Sequence, residues 1–310
     1  MSRHPDQLPA DGAVVFREGG IPAAPVADLA GATGAVIIPA HDEAAVIART
    51  LRSLAPLSAA PGVEVIVVCN GCTDDTAQIA RGFDGVRVEE ITQASKIAAL
   101  NHGDEVAAAW PRLYLDADID MEPASVLAVF AAIDAGDVLA ARASFVYDAI
   151  GASIPVRSYY RARSRIPAPP RRLWGAGGYA TGEDGHARFG RFAAVTADDS
   201  WFDAQFSDEE KEVLRTSPMR VRTPRDTAGL LAVLARQRRG YLELGISSHA
   251  GSRGKSLLAS IRGPRSALDV GWYTLLTVMS RRRAERAMRM RGTRDWERDG
   301  SSRESGEGVL

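Results

Sequence analysis

The sequence contains few cysteines, and this scarcity excludes several kinds of protein. Only Cys69 and Cys72 occur among 310 residues, so no framework of several disulfides supports the fold. A reducing compartment, the cytoplasm, is therefore the expected location. The N-terminus also lacks a basic start followed by an apolar run, which argues against a secretory signal.

Long apolar runs are absent as well. None reaches the ~20 residues that a transmembrane helix requires. The closest run, Ala267 to Met279, is shorter, contains Asp269 and leads into three arginines at 281–283. We therefore expect no permanent membrane span. The chain also has no internal repeat at the periods of solenoids or propellers.

Charge is present in quantity but is divided unevenly. With 45% hydrophobic and 25% charged residues, the composition is that of a globular protein. The formal net charge is −1, yet residues 1–150 carry 9 basic against 21 acidic residues, and residues 151–310 carry 29 against 18. An acidic half that binds a phosphorylated ligand needs a cation between the two, whereas a basic half can face an acidic acceptor, phospholipid headgroups or nucleic acid. Solvated surfaces that merely differ in charge are the alternative.

Apolar runs alternate with helical spacing over residues 35–115. Short continuous apolar or β-branched runs predict strands, and apolar residues three to four positions apart predict helices. This alternation indicates a mostly parallel sheet covered by helices on both faces, the doubly wound α/β class. The predicted strands are 35–38, 63–68, 86–91 and 112–115, and the predicted helices are 44–54, 73–80 and 95–109.

Beyond residue 122 the alternation is looser. The glycine-rich segment 175–190 carries few helix or strand signals, which predicts a loop that lines a site. Residues 1–33, rich in Pro, Ala and Gly, are predicted to be an extension over the surface. The other predicted elements are helices at 123–133, 226–239 and 264–291 and a strand at 137–147.

Polar residues cluster directly after three of the predicted strands. In an open α/β sheet, ligands bind beyond the carboxyl ends of the strands, so these loops are candidates for a site. Turn formation and helix capping are the alternative reason for such residues. The loops are Pro39-Ala40-His41-Asp42-Glu43, Asn70-Gly71-Cys72-Thr73-Asp74-Asp75-Thr76 and Asp116-Ala117-Asp118-Ile119-Asp120.

The third loop has the chemistry of a divalent-metal site. Carboxylate oxygens are hard ligands that suit Mg²⁺ or Mn²⁺. Mg²⁺ typically takes one or two carboxylates, and water and substrate phosphate fill the remaining positions. Asp116 and Asp118, one residue apart at a strand end, can therefore present one carboxylate to a metal and the other to the ligand. Capping of the next helix is the alternative.

In this order the loops resemble the N-terminal half of family 2 glycosyltransferases with the GT-A fold. That family's pattern is Pro-x-x-Asn-Glu, then Asp-Gly-Ser with Thr-Asp-x-Thr, then Lys and Asn on a helix, then Asp-x-Asp. The chain departs from it by Asp42 in place of Asn, and by Asn70 and Cys72 in place of Asp and Ser, which bears on the base of the donor nucleotide. The matching positions are 39–43, 70–76, Lys96 with Asn101 and Gly103, and 116–118.

The resemblance implies a division of the chain and a set of ligands. It implies a GT-A catalytic domain over 34–245, with a nucleotide-sugar-binding half at 34–122 and an acceptor-binding, catalytic half at 123–245, followed by a basic helical segment at 246–310. It also implies Mn²⁺ or Mg²⁺ on Asp118 and a nucleotide diphosphate sugar as donor. The residues implied for the base, ribose and phosphates of the donor are Pro39, Ala40, Asp42, Glu43, Asn70, Lys96, Asp116 and Ala117.

A later acidic pair, Asp198 and Asp199, resembles the family's catalytic pair. By this resemblance Asp199, the second member, is the general base of an inverting transfer and removes the proton of the acceptor hydroxyl. Capping of a short helix is the alternative. The segment 236–241 resembles the family's Gln/Arg-rich segment more loosely. His249 is a candidate for an additional metal ligand, with an ordinary surface or core histidine as the alternative.

Three other functions remain open at this point. Cys69-Asn70-Gly71-Cys72 lies at a strand-to-helix junction, where thioredoxin-like redox centres also lie. A nucleotidylyltransferase has a similar sheet and metal but needs no late acidic pair. A non-catalytic GT-A scaffold keeps the fold without turnover.

The expected partners follow from the same features. A nucleotide sugar is the donor, and the acceptor is lipid-linked, a saccharide or a small molecule. The arginine-rich end of the C-terminal helix, residues 281–294, favours peripheral contact with the inner, anionic face of a membrane. Solvation of a terminal helix is the alternative. No nucleic acid partner is expected.

Overall fold

One mixed β-sheet organises the chain. The computed structural model describes residues 13–15, 21–22, 29, 31–167, 169, 171–245 and 250–290. The strands are β1 (Ala13–Val15), β2 (Ile21–Pro22), β3 (Gly34–Ala40), β4 (Val63–Asn70), β5 (Val86–Ile91), β6 (Arg112–Leu115), β7 (Ala140–Asp148), β8 (Gly178–Thr181) and β9 (Lys211–Arg222). Their order is β2-β9-β7-β8-β6-β3-β4-β5, and β1 pairs with β7.

Helices connect and cover these strands. They are α1 (Ile47–Ser58), α2 (Thr76–Arg81), α3 (Lys96–Val106), α4 (Pro123–Asp134), α5 (Ile154–Ser164), α6 (Glu183–His186), α7 (Asp198–Asp203), α8 (Thr227–Glu243), α9 (Ala250–Ala259) and α10 (Pro264–Met290). None of these described helices is both long enough and apolar enough to cross a lipid bilayer.

Strands β3 to β6 form the parallel part of the sheet. β3 pairs with β4 and β6, and β5 continues the sheet beyond β4, all in parallel. Every residue of β3 and β6 is buried, because helices cover both faces of a parallel sheet. The predicted doubly wound α/β class is confirmed, and the bounds of β5 and β6 match the predicted 86–91 and 112–115.

One antiparallel strand, β8, joins the two parts of the sheet. It pairs with β6 on one side and with β7 on the other, while β7 and β9 run parallel. The prediction of a loop over 175–190 was therefore wrong for β8 and α6. A strand of four residues, all buried, has no alternating pattern that separates it from a loop. The pattern also failed to predict β9 and α9.

Two apolar layers cover the faces of the sheet. Alternate residues of β3 supply both layers: Val36 and Ile38 pack on one face, and Ala35 and Ile37 pack on the other. The helix α3 comes close to this strand because residue 103 is glycine. A Cβ at Gly103 would lie 2.3 Å from Ile37 Cγ2.

A third apolar cluster ties the C-terminal helices to the rest of the fold. It joins residues of α5, α8, α9 and α10, among them Val156, Leu230 and Leu276. The fully buried Asp269 of α10 lies 2.7 Å from Arg161 and 2.8 Å from Arg165 of α5. Burial alone would raise the pKa of Asp269, but hydrogen bonds from both arginines outweigh it and lower the pKa.

The N-terminal segment contributes two short strands to the sheet. β1 and β2, in the segment predicted as a surface extension, pair with β7 and β9. At the other end, His249 and the arginines beyond residue 290 lie outside the described residues.

Candidate active site

Hydrogen bonds hold the loops after β3 and β4 together. Asn70 Nδ2 donates to Ala40 O at 2.8 Å, and His41 Nδ1 lies 2.5 Å from Asn70 O. Asp42 has φ 49°, a left-handed conformation that aspartate adopts more readily than most residues. Its carboxylate accepts the N–H of Thr73 at 2.6 Å. The structure thus brings Ala40, Asp42 and Asn70 to one edge of the sheet.

Asp74 and Thr76 fix the second loop against the first. The N–H of Glu43 donates to Thr76 Oγ1 at 2.7 Å, and the N–H of Ala44 donates to Asp74 Oδ2 at 3.1 Å. Asp74 Oδ1 accepts from the N–H of Thr76 at 3.0 Å. Both oxygens of Asp74 therefore bind the chain itself, and the position of Glu43 depends on them.

A cavity of about 340 Å³ opens beside the second loop. Cys69, Gly71, Cys72, Glu90, Ile91 and Thr92 line it. Next to it, Asn70 is fully buried, and its Oδ1 accepts no hydrogen bond from the described residues. A buried acceptor without a donor is costly, so a ligand that donates a hydrogen bond there would be stabilising.

The two thiols in this region differ in acidity. Both cysteines are free, with Cys69 buried and Cys72 partly exposed. The hydrogen bond from Cys69 lowers the pKa of Cys72 to about 7, against the effect of burial, and the N–H of Asp42 adds to the lowering. The same hydrogen bond, together with burial, raises the pKa of Cys69.

Two sets of side chains at this edge have metal-binding chemistry. Ligand atoms of His41, Asp42 and Cys72 lie within 4.8 Å of one another, a mixture of nitrogen, oxygen and sulfur that suits zinc. Asp116 and Asp118 instead offer only oxygen, which suits Mg²⁺ or Mn²⁺.

The backbone of the Asp116 loop is held on two sides. The N–H of Asp116 donates to Gly177 O at 2.7 Å. Gly177 has φ 71°, and a Cβ there would lie 3.1 Å from Asp116 Oδ2, so glycine is needed for this approach. On the other side Thr50 Oγ1 donates to Ala117 O at 2.8 Å. These contacts fix the backbone of the loop from which the Asp116 carboxylate projects.

Asp118 and Asp120 have different surroundings. Arg49 donates to the main-chain oxygen of Asp118 at 2.9 Å and to the Asp120 carboxylate at 2.7 Å. The Asp118 carboxylate is partly exposed and forms no hydrogen bond or ion pair with any described residue. Its oxygens therefore fit a hard divalent cation, whereas Asp120 is occupied by Arg49.

Lys96 connects the Asp116 loop to the late acidic pair. Ser95 caps α3 by accepting the N–H of Ala98 at 3.3 Å, which places Lys96 as the first helical residue. Its Nζ lies 2.7 Å from Asp116 Oδ1 and 2.8 Å from Asp198 Oδ2. Burial lowers the pKa of Lys96, but the two carboxylates outweigh it, so the pKa is raised and the ammonium form is favoured.

The pKa of Asp116 is also shifted by these neighbours. Burial raises it, Lys96 opposes the shift, and the neighbouring carboxylates of Asp198 and Asp118 add to it. The outcome is a raised pKa. Two carboxylates thus share one lysine, and Asp118 lies near them without an ion pair to any described residue, so an additional cation would relieve the mutual repulsion of the three carboxylates.

The members of the acidic pair point to different partners. Asp198 accepts from the Tyr179 hydroxyl at 2.7 Å as well as from Lys96. Asp199 Oδ2 accepts the N–H of Gly175 at 2.7 Å, and its Oδ1 accepts the N–H of Ser200 at 2.6 Å. Burial and the charge of Asp198 raise the pKa of Asp199 despite these hydrogen bonds. A carboxylate with a raised pKa has the chemistry of a general base.

Both acids also lie in the first turn of α7, where the helix dipole favours negative charge. The N-cap residue of α7 is Ala197, and no described side chain forms a capping hydrogen bond there, so only the favourable helix dipole remains of the capping alternative. It does not account for the contact of Asp198 with Lys96, because that lysine belongs to α3 on the far side of the loop.

Other residues singled out in the sequence have structural contacts here. The Asn101 side chain binds the backbone of Phe192 twice: its Oδ1 accepts the N–H at 2.8 Å, and its Nδ2 donates to the carbonyl oxygen at 3.2 Å. In the segment 236–241, Gly240 lets α8 pack against the start of α7, since a Cβ there would lie 2.6 Å from Ala197 Cβ. Arg238 of the same segment lines a second cavity, of about 250 Å³.

Sequence reasoning missed the roles of Tyr179, Gly175 and Gly177. Tyr179 belongs to β8, which no pattern predicted, and its contact with Asp198 depends on where that strand enters the sheet. The glycines were placed in a site-lining loop, and this general position is where the structure has them. Nothing in the sequence indicated which carboxylate each one meets.

A doubly wound sheet whose loops carry an Asp-x-Asp motif beside a late acidic pair defines a GT-A glycosyltransferase. The chain belongs to glycosyl transferase family 2, whose sequence pattern matches residues 35–195, just over half of its length. It is therefore a glycosyltransferase. No curated protein sequence matches it.

Solved structures of low sequence identity share the fold. A mannosyltransferase from Pyrobaculum calidifontis in complex with GDP-Man and Mn²⁺ is 18% identical, with a TM-score of 0.57 over 88% of this chain and 90% of that one. Glucosyl-3-phosphoglycerate synthase from Mycobacterium tuberculosis, in complex with Mn²⁺, UDP and glucosyl-3-phosphoglycerate, is 19% identical, with a TM-score of 0.51 over 71% and 82%. The same synthase with Mn²⁺, UDP-Glc and glycerol 3-phosphate is 20% identical, with the same TM-score and coverage.

Proposed function

We propose that this enzyme transfers a sugar from a nucleotide diphosphate sugar to an acceptor hydroxyl with inversion at the anomeric carbon. One observation carries the proposal: the Lys96 ammonium touches both Asp116, of the Asp-x-Asp loop, and Asp198, of the late acidic pair. The groups expected to bind the donor and the groups expected to activate the acceptor are thereby part of one connected site. A nucleotidylyltransferase would not need the second group.

The donor is proposed to lie along the loops after β3, β4 and β6. The cavity of about 340 Å³ beside Cys72 would take the base, next to the buried Oδ1 of Asn70. Two proteins of the same fold were solved with GDP-Man or UDP and with Mn²⁺. The residues proposed to hold base, ribose and phosphates are Pro39, Ala40, Asp42, Glu43, Asn70, Lys96, Asp116 and Ala117.

Asp118 is proposed as the protein ligand of Mn²⁺ or Mg²⁺. Its hard carboxylate oxygens bind no described residue, and its neighbours Asp116 and Asp198 bring further negative charge to the same place. A divalent cation bound there supplies positive charge that stabilises the departing nucleotide diphosphate.

Asp199 is proposed as the general base. The acceptor oxygen forms a bond to the anomeric carbon, the bond from that carbon to the diphosphate breaks, and the acceptor proton passes to the Asp199 carboxylate. The N–H groups of Gly175 and Ser200 orient this carboxylate. Its raised pKa makes it a stronger base than an exposed aspartate. A single displacement of this kind inverts the anomeric centre.

We also propose that the chain divides functionally in the way that the sequence predicts. Residues 34–122 would bind the donor, and 123–245 would supply the base and the acceptor side. The last part, 246–310, would provide peripheral membrane contact through α10. Because β8 lies between β6 and β7, the first two parts are halves of one sheet.

Peripheral membrane contact is proposed for α10. From residue 267 to 279 every exposed residue of this helix is uncharged, and most are apolar. Exposed arginines flank the strip, so apolar residues can enter the headgroup region while the arginines meet anionic lipids. The strip is Ala267, Leu268, Gly271, Thr274, Leu275, Val278 and Met279, and the flanking arginines are Arg262, Arg265, Arg282, Arg283 and Arg286.

Vesicle co-sedimentation tests this contact. The protein should bind vesicles of phosphatidylcholine with phosphatidylserine more strongly than vesicles of phosphatidylcholine alone, and Leu275→Glu should weaken the binding. Equal binding of wild type and Leu275→Glu, or dimerisation that Leu275→Glu abolishes, would contradict it.

The enzymatic proposal is tested by thermal shift with a panel of UDP- and GDP-sugars, with Mn²⁺ or with chelator. A bound donor at ~100 times its Kd adds roughly 2.7 kcal/mol to the free energy of unfolding. We expect at least one donor to stabilise the protein only with the metal. Release of pyrophosphate from a nucleoside triphosphate with a sugar phosphate would instead favour a nucleotidylyltransferase. Absence of hydrolysis and transfer with every donor would favour a non-catalytic scaffold.

A further inference from the structure

A second cavity, of about 250 Å³, opens next to Asp199. Two of its lining residues adjoin the contacts of that carboxylate: Ser200 donates to Asp199, and Trp174 precedes Gly175, which also donates to it. The cavity therefore adjoins the segments that hold Asp199, and none of its lining residues belongs to the loop after β4. Its lining, here called the arginine cavity, is Tyr159, Arg163, Trp174, Ser200, Asp203, Ala204, Leu234, Gln237, Arg238, Tyr241, Tyr273, Thr277, Ser280 and Arg281.

Positive charge dominates the arginine cavity. Three guanidinium groups, those of Arg163, Arg238 and Arg281, line it, against the single carboxylate of Asp203. That carboxylate lies 2.9 Å from the Lys211 ammonium, so its charge is already balanced. An anion that enters the cavity therefore meets an excess of positive charge.

One of the guanidinium groups also has an unused donor. Arg238 Nε is buried and forms no hydrogen bond among the described residues. A buried donor without an acceptor is unfavourable, and an anionic oxygen in the cavity would satisfy it.

Aromatic rings form the apolar part of the wall. Tyr159 and Tyr273 stack with ring centroids 4.9 Å apart, and Trp174 meets Tyr241 edge-on at 6.1 Å. The Arg172 guanidinium, which does not line the cavity, stacks on the Trp174 ring at 4.6 Å from its centre. These rings can pack on the carbon skeleton of a small ligand.

We propose that the arginine cavity binds the acceptor through a phosphate monoester, a proposal that rests on the proposed function. Guanidinium forks match phosphate oxygens in pairs, and a dianion balances the three arginines better than a carboxylate does. The volume lies just below the ~300–1,000 Å³ of pockets for drug-sized ligands. It therefore suits a small phosphate ester or the headgroup of a larger one.

Two sources supply this chemistry, a soluble phosphate ester and a phosphorylated lipid headgroup. α10 contributes to both possibilities. Its inner face supplies Tyr273 and Arg281 to the arginine cavity, and its outer face carries the apolar strip with Leu275.

Isothermal calorimetry tests the proposal on the full chain, with chelator present to exclude metal-bound phosphate. Glycerol 3-phosphate should bind, and glycerol should not. Arg281→Gln should weaken binding about tenfold or more, because it removes charge-assisted hydrogen bonds. Arg282→Gln is the matched control, since Arg282 is the next residue of α10 and faces solvent. Binding should also be tighter at pH 7.5 than at pH 5, because the second pKa of a phosphate ester is ≈ 6.

A second arm replaces the soluble ester by phosphatidic acid in phosphatidylcholine vesicles. In the soluble arm, binding that depends on Arg281 and not on Arg282 supports the proposal. In the vesicle arm Arg282 itself flanks the apolar strip, so the control there is the lipid: a loss in Arg281→Gln that is larger for phosphatidic acid than for phosphatidylserine vesicles supports the proposal. The stronger arm identifies the source. Unchanged binding of both probes in Arg281→Gln and in Arg238→Gln overturns it, as does absence of binding in both arms.

Donor affinity measured on the same variants separates this proposal from the function it rests on. Mn²⁺-dependent binding of UDP- or GDP-sugars should be the same in wild type and Arg281→Gln. If no donor binds the wild type while glycerol 3-phosphate binding still depends on Arg281, the proposed function fails and the anion site stands. If donors bind but the phosphate probes do not, donor binding by the proposed enzyme stands and the proposed anion site fails.

Discussion

Asp199 and Asp203 lie one helical turn apart on α7, and each accepts a backbone N–H from the segment that leads into β8. Asp199 Oδ2 accepts from Gly175, and Asp203 Oδ1 accepts from Leu173, both at 2.7 Å. Only Asp199 adjoins Asp198, whereas Asp203 pairs with Lys211. The two aspartates therefore share an anchoring role and differ in their charged neighbours.

This pair allows a controlled test of the general base. Asp199→Asn should lower kcat by ~10²–10⁴, because general-base catalysis typically supplies that factor, while donor affinity should hardly change. Asp203→Asn also weakens an anchor of the same segment. Because Asp203 lines the arginine cavity, this variant should change KM for the acceptor, but at saturating acceptor its kcat should stay within a small factor of wild type. Transfer rates and calorimetric donor affinities are the measurements. Equal losses in both variants would leave Asp199 only its anchoring role, and a collapsed rate confined to Asp198→Asn would reassign the base.

The pH dependence of transfer follows from the raised pKa of Asp199. A base must be ionised, so kcat should fall as the pH drops through that raised pKa. The acid limb should thus lie above the ≈ 3.9 of an ordinary aspartate. The profile of kcat against pH measures this, and Asp203→Asn should retain the limb. A limb at or below pH 3.9 would argue against Asp199 as the titrating group.

Donor binding should require a divalent cation held by Asp118. Asp118→Ala should abolish the Mn²⁺-dependent part of donor affinity, because it removes the carboxylate that has no protein partner. Asp120→Ala is the control, since that carboxylate is occupied by Arg49, and it should keep the metal dependence. Equal donor affinity of wild type with Mn²⁺ and with excess chelator would refute the metal site.

The thiols should be dispensable for transfer but unequal in reactivity. The double variant Cys69→Ser, Cys72→Ser should keep most activity, because both residues serve as turn and packing residues beside the nucleotide loops. Since the pKa of Cys72 is about 7, iodoacetamide at pH 8 should label Cys72 and spare buried Cys69, and bound donor should protect it. Loss of all activity in the double variant, or disulfide exchange by the wild type, would restore the redox interpretation.

Asp269 should contribute to stability in a pH-dependent way. Asp269→Ala leaves the partly exposed Arg161 and Arg165 without their buried partner, so the free energy of unfolding should fall by about 1–3 kcal/mol. The native pKa of Asp269 is lowered. Its contribution is therefore complete above the unfolded pKa of ≈ 3.9 and is lost as the pH falls through the native pKa. Urea midpoints of both proteins against pH measure this. Parallel curves down to pH 3 would contradict the assignment.

The sequence revealed the parallel part of the fold more fully than the rest, for a physical reason. Strands such as β5 and β6 stand between helices, and the change from a continuous apolar run to helical spacing marks their ends. β8 has no such contrast, because a glycine opens it and a short helix follows it directly. β9 contains exposed polar residues along most of its second half, which hides its pairing with β7.

The candidate site could be predicted from the sequence to a similar extent. The loops that contain Asp42, Asn70 and Asp118 could be placed together because the carboxyl ends of parallel strands meet at one edge. The contact of Lys96 with Asp198 joins residues far apart in the chain, and no local pattern encodes it. The arginine cavity is a product of helix packing, and its residues come from four helices and one connecting segment.

The placement of β8 also has a consequence for the order in which the chain assembles. β6 can gain its neighbour β8 only when residues 178–181 have been synthesised, whereas both strands of the β3–β4 pair are complete once residue 70 has been made. A nascent chain that ends before β8 thus exposes an open strand edge, where other chains can add. Ribosome-bound chains stalled before residue 178 should therefore depend on chaperones, and release of that dependence should coincide with the emergence of β8.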